Sequence, residues 1–460
     1  MSFSVSLQRL QRITSGNGLR AQLLRGGIGS LSVKVANALL AFAVAVVLAR
    51  LLGPEGYGVY SFALAIIMLT AVPGQVGVPQ LVVRETAKAH RSGNYRLMRG
   101  LWRWSNLAVG GFSCLALALV AGVIWFTDIG GEGARIVTLA VGVPLIPIIA
   151  LANVRSASLR GLRRVVQGQL PESIIRPAFL LFLVLVWGIW LAEDKFTPQM
   201  AMGFYVIAAS FAFVAGAWLL HRKRPVEMKE HPVPEYQSSA WRNAVIPLAM
   251  ITGLQLINKH ADVIILGIFG TDEEVGVYRA VTQVSMLIIF GFQALNQVFQ
   301  PYYARAYKDD KQSLQRLVTI SSRLILVTAF FPALAIFIYS GELLRLAFGS
   351  AYEVGAFSLI ILASGQFINA SMGSLGPLLN MTGHERVTFF WVAWAAAVNV
   401  VLTVILVPFF GMEGAAAAST ISLVLYNLVL WRAVRLRLAV DTLPIRMNSS
   451  WLRRDSYESN

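Results

Sequence analysis

The sequence predicts an all-α integral membrane protein, because its composition, its apolar segments and an internal repeat all indicate that fold class. Of the 460 residues, 56% are hydrophobic and 13% are charged, and the mean hydropathy is +0.64. Soluble domains carry about 25% charged residues. Most of the chain is therefore expected to lie in lipid.

Twelve apolar segments follow one another, each near the ~20 residues that cross the hydrocarbon core of a bilayer. They cover residues 29–50, 57–80, 104–126, 135–154, 171–191, 198–220, 243–269, 275–301, 318–340, 354–379, 387–408 and 413–431. We expect twelve transmembrane helices.

An internal repeat divides these segments into two sets of six. Residues 50–60 (RLLGPEGYGVY) and 268–278 (IFGTDEEVGVY) each join an acidic turn to the start of a new apolar segment, and Gly58 and Gly276 are 218 positions apart. Gly161 with Arg164 and Gly383 with Arg386 form a second pair, 222 positions apart. The repeat predicts two pseudo-symmetric halves of six helices each, an organisation typical of transporters.

The domain boundaries follow from the same pattern. Residues 29–220 and 243–431 are the two predicted bundles, and residues 221–242, rich in proline and charge, are the predicted cytoplasmic linker. Residues 1–28 mix arginine with aliphatic residues, which favours a basic amphipathic helix on the anionic leaflet over a solvated tail. This stretch lacks the apolar core of a cleaved signal peptide. The basic tail, 432–460, has a similar composition.

The basic residues give the orientation. Of 39 Lys and Arg residues, 30 fall in the termini and alternate loops and four in the opposite loops, with a formal net charge of +16. Under the positive-inside rule both termini are cytoplasmic. This clustering beside apolar segments explains the net charge without a nucleic-acid partner.

The sequence lacks the residues that several classes of protein require for their function. Cys114 is the single cysteine, so an intrachain disulfide is excluded, and the five histidines show no ligand spacing. Neither a phosphate-binding glycine loop nor a nucleophile elbow is present. The outward loops are too short for a catalytic domain. We therefore expect no catalytic residue, cofactor or metal, and a function carried out between the helices.

Polar residues inside the spans of the first half are the first candidates for a binding site. Ser30, Lys34, Asn37 and Ala41 recur at helical spacing on one face of the first span. The alternative for Lys34 is that its side chain extends to the lipid headgroups. Arg176 in the fifth span is a further cation, with an ion pair to Glu172, four residues earlier, as the alternative.

The seventh span carries a polar stripe, and the eighth adds to it. The stripe consists of Thr252, Gln255, Asn258, Lys259 and Asp262. A structural Lys259–Asp262 pair is one interpretation. In the other, Lys259 binds an anionic substrate while His260 and Asp262 are candidates for ion coupling. Arg279 and Gln283 in the eighth span complete the candidate site.

The predicted lumen is cationic, with Lys34, Arg176, Lys259 and Arg279 opposed chiefly by Asp262. Charged side chains at mid-span cost about 2.5–3.5 kcal/mol each on insertion scales, so they normally face a cavity. This balance favours an anion. A small metabolite anion and a lipid-linked pyrophosphate both fit, and the neighbouring amides suit a glycan.

Several segments carry a resemblance to a known family. They are residues 52–60 (LGPEGYGVY), 275–279 (VGVYR), 161–164 (GLRR), 378–386 (LLNMTGHER) and 407–418 (VPFFGMEGAAAA). In order and spacing they resemble the polysaccharide transporter (Wzx-type oligosaccharide flippase) family of the multidrug/oligosaccharidyl-lipid/polysaccharide exporters. The resemblance extends over residues 26–437.

This resemblance implies a multi-pass protein of the bacterial cytoplasmic (inner) membrane, with two pseudo-symmetric six-helix bundles in a V around a central cavity. It implies a substrate, an undecaprenyl-pyrophosphate-linked oligosaccharide, that moves to the outer leaflet by alternating access for surface polysaccharide synthesis. Membrane lipids and the polymerase and chain-length machinery of that pathway are the implied partners. The alternatives are a multidrug or small-molecule antiporter of the same superfamily and a membrane glycan polymerase.

Overall fold

The computed structural model describes residues 19–72, 77–126, 133–190, 195–230 and 233–444, and all regular structure within these ranges is helical. The helices are α1 (Leu19–Thr70), α2 (Val78–Ser92), α3 (Tyr95–Phe126), α4 (Ala134–Gly142), α5 (Leu145–Gly161), α6 (Val165–Leu170), α7 (Arg176–Trp190), α8 (Pro198–Lys223), α9 (Glu227–Glu230), α10 (Ser238–Phe269), α11 (Asp272–Asp309), α12 (Lys311–Phe348), α13 (Ala356–Ser371), α14 (Leu375–Met381) and α15 (Glu385–Leu438). A π-helical turn, Pro171–Ile175, joins α6 to α7, and a 3-10 turn, Ser350–Gly355, precedes α13. The predicted all-α class is confirmed.

The membrane-spanning character is also confirmed. Among the described residues, nine helical segments are long and apolar enough to cross a bilayer. Two of these, Gly29–Thr70 and Glu385–Leu438, contain 42 and 54 residues, about twice the ~20 that one crossing needs. The number of twelve crossings stays a prediction.

Both of these long segments are broken at a glycine. Gly53 has φ 66° and ψ 176°, and Gly411 has φ 52° and ψ −130°. These angles lie in a region that is open almost only to glycine, because a Cβ would clash with the backbone. A proline accompanies each break, Pro54 after the first and Pro408 before the second. The breaks lie where the sequence predicts loops between spans.

Helix ends differ from the predicted spans in two places. α5 continues to Gly161, although the predicted span ends at residue 154. Hydropathy marks the part of a helix that lies in lipid, whereas helical hydrogen bonding continues into polar sequence. The predicted second span, 57–80, ends early at Thr70. α2 is a separate helix with Leu81 and Val82 buried and with Arg84 and Lys88 exposed.

The internal repeat is visible in a matched pair of turns. Arg163 (φ 60°) and Gly383 (φ 84°) both have the left-handed conformation. In each turn the next N–H donates to the carbonyl five residues back, Arg164 to Leu159 at 3.0 Å and His384 to Leu379 at 2.9 Å. The structural register therefore pairs Arg163 with Gly383, and the predicted pairing of Gly161 with Gly383 was wrong by two residues.

The chain divides into two compact units, Met1–Leu256 and Ile257–Asn460, and the division falls inside α10. In the first unit, Trp241 from the start of α10 is buried with Met98, Leu101 and Trp102 of α3. In the second unit, Tyr303, Leu314, Leu378 and Leu430 form part of a core cluster from α11, α12, α14 and α15. Ala415, Ala416 and Ala418 are fully buried, and such small residues let membrane helices pack closely.

The segment between α8 and α10 is bound to α3. The guanidinium of Arg99 donates to the carbonyl of Met228 at 3.2 Å, and the N–H of Glu235 donates to the carbonyl of Arg96 at 3.1 Å. Met228 is itself buried in the α3 cluster. The predicted linker therefore packs on the first unit along much of its length.

The chain after α15 lies along α12. The Gln315 amide donates to the carbonyl of Asp441 at 2.8 Å and accepts from the Asp441 N–H at 2.9 Å, while Arg323 donates to the carbonyl of Pro444 at 3.1 Å. Residues 439–444 are thus held on α12, and the described part of the predicted basic tail is not a separate surface helix. Residues 1–18 and 445–460 lie outside the described ranges.

Candidate functional site

The predicted polar face of α1 lies near α6. Ser30 donates to the side-chain oxygen of Gln169 at 3.1 Å. Lys34 is exposed and Asn37 is half-buried. Within this face, Ser30 is therefore hydrogen-bonded to α6, whereas the Lys34 side chain is exposed.

An ion cluster lies inside the first unit. The Arg155 guanidinium is 2.7 Å from one Glu172 carboxylate oxygen, and Arg176 is 3.5 Å from the other. The ion pair of Arg176 with Glu172 is therefore present, as the alternative interpretation predicts. With two arginines and one carboxylate, the cluster has a net formal charge of +1.

Arg155 is the member of this cluster that the sequence analysis missed. Its side chain is 5% exposed, and its guanidinium donates to the carbonyls of Ala212 (3.2 Å) and Phe213 (2.5 Å) in α8. Gly216, one turn further along α8, leaves room for the guanidinium, because a Cβ there would overlap it. The predicted span end at residue 154 placed Arg155 in a loop. Continued small and apolar residues from 156 to 159 were the available signal for a longer helix.

A π-helical turn positions the carboxylate of this cluster. Pro171 has no N–H, so the α-helical hydrogen bond at that position is absent, and the turn Pro171–Ile175 widens accordingly. Glu172 lies within this turn, between Arg155 and Arg176. Inserted π turns occur frequently at functional sites.

Arg176 also faces aromatic side chains. Its Cζ lies 5.5 Å from the ring centroid of Tyr205, a geometry in which the ring quadrupole attracts the cation. The Arg176 side chain is 23% exposed, against 5% for Arg155. Arg176 is thus the more accessible cation of the cluster.

Asp262 is the centre of a polar network in the second unit. Asn399 donates to its Oδ1 at 2.8 Å and Thr403 at 3.4 Å, while Tyr278 donates to its Oδ2 at 3.3 Å and Ser419 donates to the same oxygen. These neutral donors come from α11 and from both parts of α15. The carboxylate therefore links three helices.

The network extends one turn along α10. The same Asn399 amide donates to the side-chain oxygen of Asn258 at 3.2 Å and accepts from Ser422 at 3.2 Å. Asn258 and Asp262 lie four residues apart on one face of α10, as the predicted stripe requires. Asn258 and Asp262 of the predicted stripe are thus connected through the Asn399 amide.

The remaining candidates of the second unit differ in exposure. Lys259 is exposed, His260 is 8% exposed, and Arg279 and Gln283 are half-buried. Gln255 belongs to α10, but its side chain lies outside the described part of the structure.

Three serines of the tenth predicted span have hydrogen-bond acceptors within the second unit. The hydroxyls of Ser364 and Ser371 donate to backbone carbonyls of their own helix at 2.8 Å. The hydroxyl of Ser374 donates to the buried side chain of Asn296.

Within the described ranges, no three His, Cys, Asp or Glu side chains group as metal ligands.

Comparison with known proteins places the chain in a family. Residues 47–356 match the family described as polysaccharide biosynthesis protein. The chain belongs to this family. The match covers more than half of the sequence and includes Arg155, Glu172, Arg176 and the Asp262 stripe, while the polar residues of α1 precede it.

Two curated proteins illustrate the range of sequence similarity. The putative O-antigen transporter of Shigella flexneri is 23% identical over 406 residues, which cover 85% of this chain and 92% of the relative. The probable low-salt glycan biosynthesis flippase Agl15 of Haloferax volcanii is 28% identical over 165 residues. That match covers 35% of this chain and 34% of the archaeal protein, so the chain spans only about a third of it.

Solved structures share the fold of this family member. An inward-facing multidrug resistance MATE family transporter of the MOP superfamily has a TM-score of 0.70 at 15% identity and covers 90% of this chain and 98% of its own. The lipid II flippase MurJ, in an inward closed conformation, has a TM-score of 0.69 at 14% identity, with 89% and 87% coverage. At these identities the likeness shows the fold alone.

Proposed function

We propose that this protein is a flippase that moves a lipid-linked oligosaccharide, carried on undecaprenyl pyrophosphate, from the cytoplasmic to the outer leaflet for surface polysaccharide synthesis. The single observation that carries the proposal is the family match over residues 47–356. The similarity to a putative O-antigen transporter over 85% of the chain adds support. The fold shared with MATE transporters is equally compatible with a small-molecule antiporter, but no relative named above by sequence is one.

The charges of the described spans fit an anionic head group. The acidic member of the first-unit cluster, Glu172, is shared by two arginines, so one positive charge is left over. Lys34 adds an exposed cation within α1. Cations at such depth are costly in lipid, about 2.5–3.5 kcal/mol on insertion scales, and are normally retained for a function.

In the proposed cycle Lys34, Arg176, Lys259 and Arg279 bind the pyrophosphate, and Asn37, Gln255 and Gln283 bind the glycan. No covalent bond changes, so no catalytic residue or cofactor is needed. In this proposal the protein spans the bacterial inner membrane and both termini are cytoplasmic. A potential that is negative inside favours outward movement of phosphate charge by about 2.3 kcal/mol per charge per 100 mV.

Two residues are proposed for coupling to an ion gradient. The Asp262 carboxylate, which a proton or a sodium ion could neutralise, is surrounded by neutral hydrogen-bond donors. His260, two residues earlier in the sequence, is buried. The polymerase and chain-length machinery of the same pathway are the proposed protein partners, because they would receive the exported glycan.

Complementation of a strain deleted for this gene tests the flippase proposal. We expect Lys34→Ala and Lys259→Ala to reach the membrane but to lower surface polysaccharide while lipid-linked precursor accumulates. Lys259→Arg should retain export, because it keeps the charge. The matched control is Lys88→Ala in α2, whose side chain is 78% exposed on the surface. Intact surface glycan in the deletion strain would contradict the proposal and favour small-molecule export.

Transport in proteoliposomes with imposed proton or sodium gradients tests the coupling residues. Asp262→Asn should transport at a rate independent of the gradient, whereas Asp441→Asn in the chain after α15 should respond as the native protein does. An Asp262→Asn protein that still responds to both gradients would remove Asp262 from the coupling step.

A further inference from the structure

A cavity of about 530 Å³ lies between α3, α5 and α8, entirely within the first unit and apart from the residues proposed for transport. Trp102, Asn106 and Gly110 line it from α3, and Arg155 from α5. Phe213 lines it from α8, and Arg224 from the residue that follows α8. The chemistry of its wall changes along its length, from apolar to cationic.

The polar part of this wall carries positive charge and hydrogen-bond donors. Arg155, His221 and Arg224 all line the cavity, and its lining contains no Asp or Glu. The Nε atoms of Arg155 and Arg224 are buried without a hydrogen-bond partner in the described part of the chain. Arg155 as a whole is only 5% exposed. Leaving such buried donors unsatisfied is costly, and more so when they are charged, so an acceptor is expected to bind there.

The apolar part of the wall continues onto a lipid-facing surface. Leu107 lines the cavity and is 74% exposed, and Val214 on the neighbouring α8 is 64% exposed. At the end of α8 the Arg222 guanidinium lies 4.2 Å from the ring centroid of Trp218. Tryptophan with a basic residue is typical of the membrane–water interface. The cationic end of the cavity is therefore near the headgroup layer, and the apolar end is in the hydrocarbon.

We propose that this cavity binds an anionic phospholipid of the surrounding bilayer. Its phosphate lies at Arg224 and His221, its glycerol ester oxygens reach toward the Nε of Arg155, and one acyl chain lies beside Gly110 and Phe213. Phe213 and Arg224 are eleven residues apart, or about 16 Å along a helix, which matches a glycerophosphate headgroup with the first part of its chain. The lipid thereby ties the Arg155 cluster to the membrane surface.

Native mass spectrometry of the full-length protein in detergent, titrated with phosphatidylglycerol, tests the cationic end. Arg224→Gln should weaken binding about tenfold, which corresponds to about 1.4 kcal/mol. Arg222→Gln is the matched control, because it removes a charge two residues away that stacks on Trp218 and does not line the cavity. A thermal melt of each variant confirms that it is folded.

A pair of adjacent glycines tests the apolar end. A Cβ added at Gly110 or at Gly111 would meet no atom within 4 Å, and only Gly110 lines the cavity. Gly110→Leu should fill the space of the acyl chain and reduce phosphatidylglycerol binding, while Gly111→Leu should leave it unchanged. Both variants gain helix propensity, so folding should not separate them.

Three ligands distinguish the source of the phosphate. Phosphatidylglycerol should bind, whereas phosphatidylcholine and soluble glycerol 3-phosphate should bind at least tenfold more weakly. Equal binding of phosphatidylcholine would show an unspecific apolar cleft, and binding of glycerol 3-phosphate alone would show a soluble phosphate site. Either result would overturn the lipid-binding proposal, and so would an unchanged affinity for phosphatidylglycerol in Arg224→Gln and Gly110→Leu. None of these outcomes would bear on the proposed flippase function.

Discussion

Glu172 holds Arg155 at 2.7 Å and Arg176 at 3.5 Å, with one carboxylate oxygen for each. Arg155 is separated from Glu172 by 17 positions and Arg176 by four. A single carboxylate therefore neutralises charge from two different helices inside an apolar bundle. We therefore expect the stability of this region to depend on Glu172 more than on either arginine.

Replacing Glu172 with Gln should destabilise the protein by about 3–5 kcal/mol, because removal of one partner leaves buried charge uncompensated. Thermal unfolding in detergent would report the loss. Glu85→Gln is the control, because Glu85 is about as buried as Glu172 (14% against 17% exposed) but its partners Arg84 and Lys88 are 58% and 78% exposed. Its loss leaves no buried cation without a partner, and pairs with exposed cations contribute about 0–1 kcal/mol. Equal shifts for the two variants would argue against the shared role of Glu172, and Glu172→Gln with Arg155→Met should recover part of the loss.

Gly216→Ala should lower stability by about 1–3 kcal/mol, because the added methyl overlaps the Arg155 guanidinium and forces it from its carbonyl acceptors. Gly188→Ala in α7 is the counterpart, since its Cβ would meet nothing within 4 Å. That change should be neutral or stabilising by up to about 1 kcal/mol. Matching melting temperatures for both variants would contradict the packing described around Arg155.

Gly53→Asn should cost about 1–3 kcal/mol, because ψ 176° at φ 66° is a conformation that is open almost only to glycine. Gly93→Asn should be nearly neutral, since φ 68° and ψ 11° lie close to the left-handed region that asparagine tolerates. No atom lies within 4 Å of the added Cβ at either position, so the comparison measures backbone conformation alone. Chemical denaturation of both variants would reveal the difference.

The hydrogen bonds of Asp310 predict that the stability of the first turn of α12 depends on pH. It accepts hydrogen bonds from the backbone N–H groups of Gln312 and Ser313 and from the Ser313 hydroxyl, and these bonds lower the pKa of its carboxyl. A lowered pKa in the folded protein means that the stabilisation is complete above the unfolded value of about 3.9 and is lost as the pH falls below it. Amide exchange in the first turn of α12 should therefore accelerate in acid. Asp310→Asn should show no such acid-dependent step.

The sequence predicts the fold class well, because hydropathy reflects which segments lie in lipid. It locates the breaks at Gly53 and Gly411 for the same reason. It fails at Arg155, since a buried arginine with a partner 17 positions away has the same local signature as a loop arginine. The network of Asp262 with Asn399, Thr403 and Ser419 is equally invisible, because those partners lie 137–157 positions away.

The start of α10 packs in the first compact unit, although the sequence repeat assigns this helix to the second half. Trp241 is buried against α3, and Gly77 approaches the backbone of Val245 and Ala249 so closely that a side chain would not fit. If two genes had been joined end to end, the boundary between the two compact units would be expected at the linker, residues 221–242. The residues up to Leu256 nevertheless belong to the first unit. A protein expressed as two fragments cut at residue 236 would thus leave the first fragment without part of its own core. Such fragments should be stable only when they are produced together.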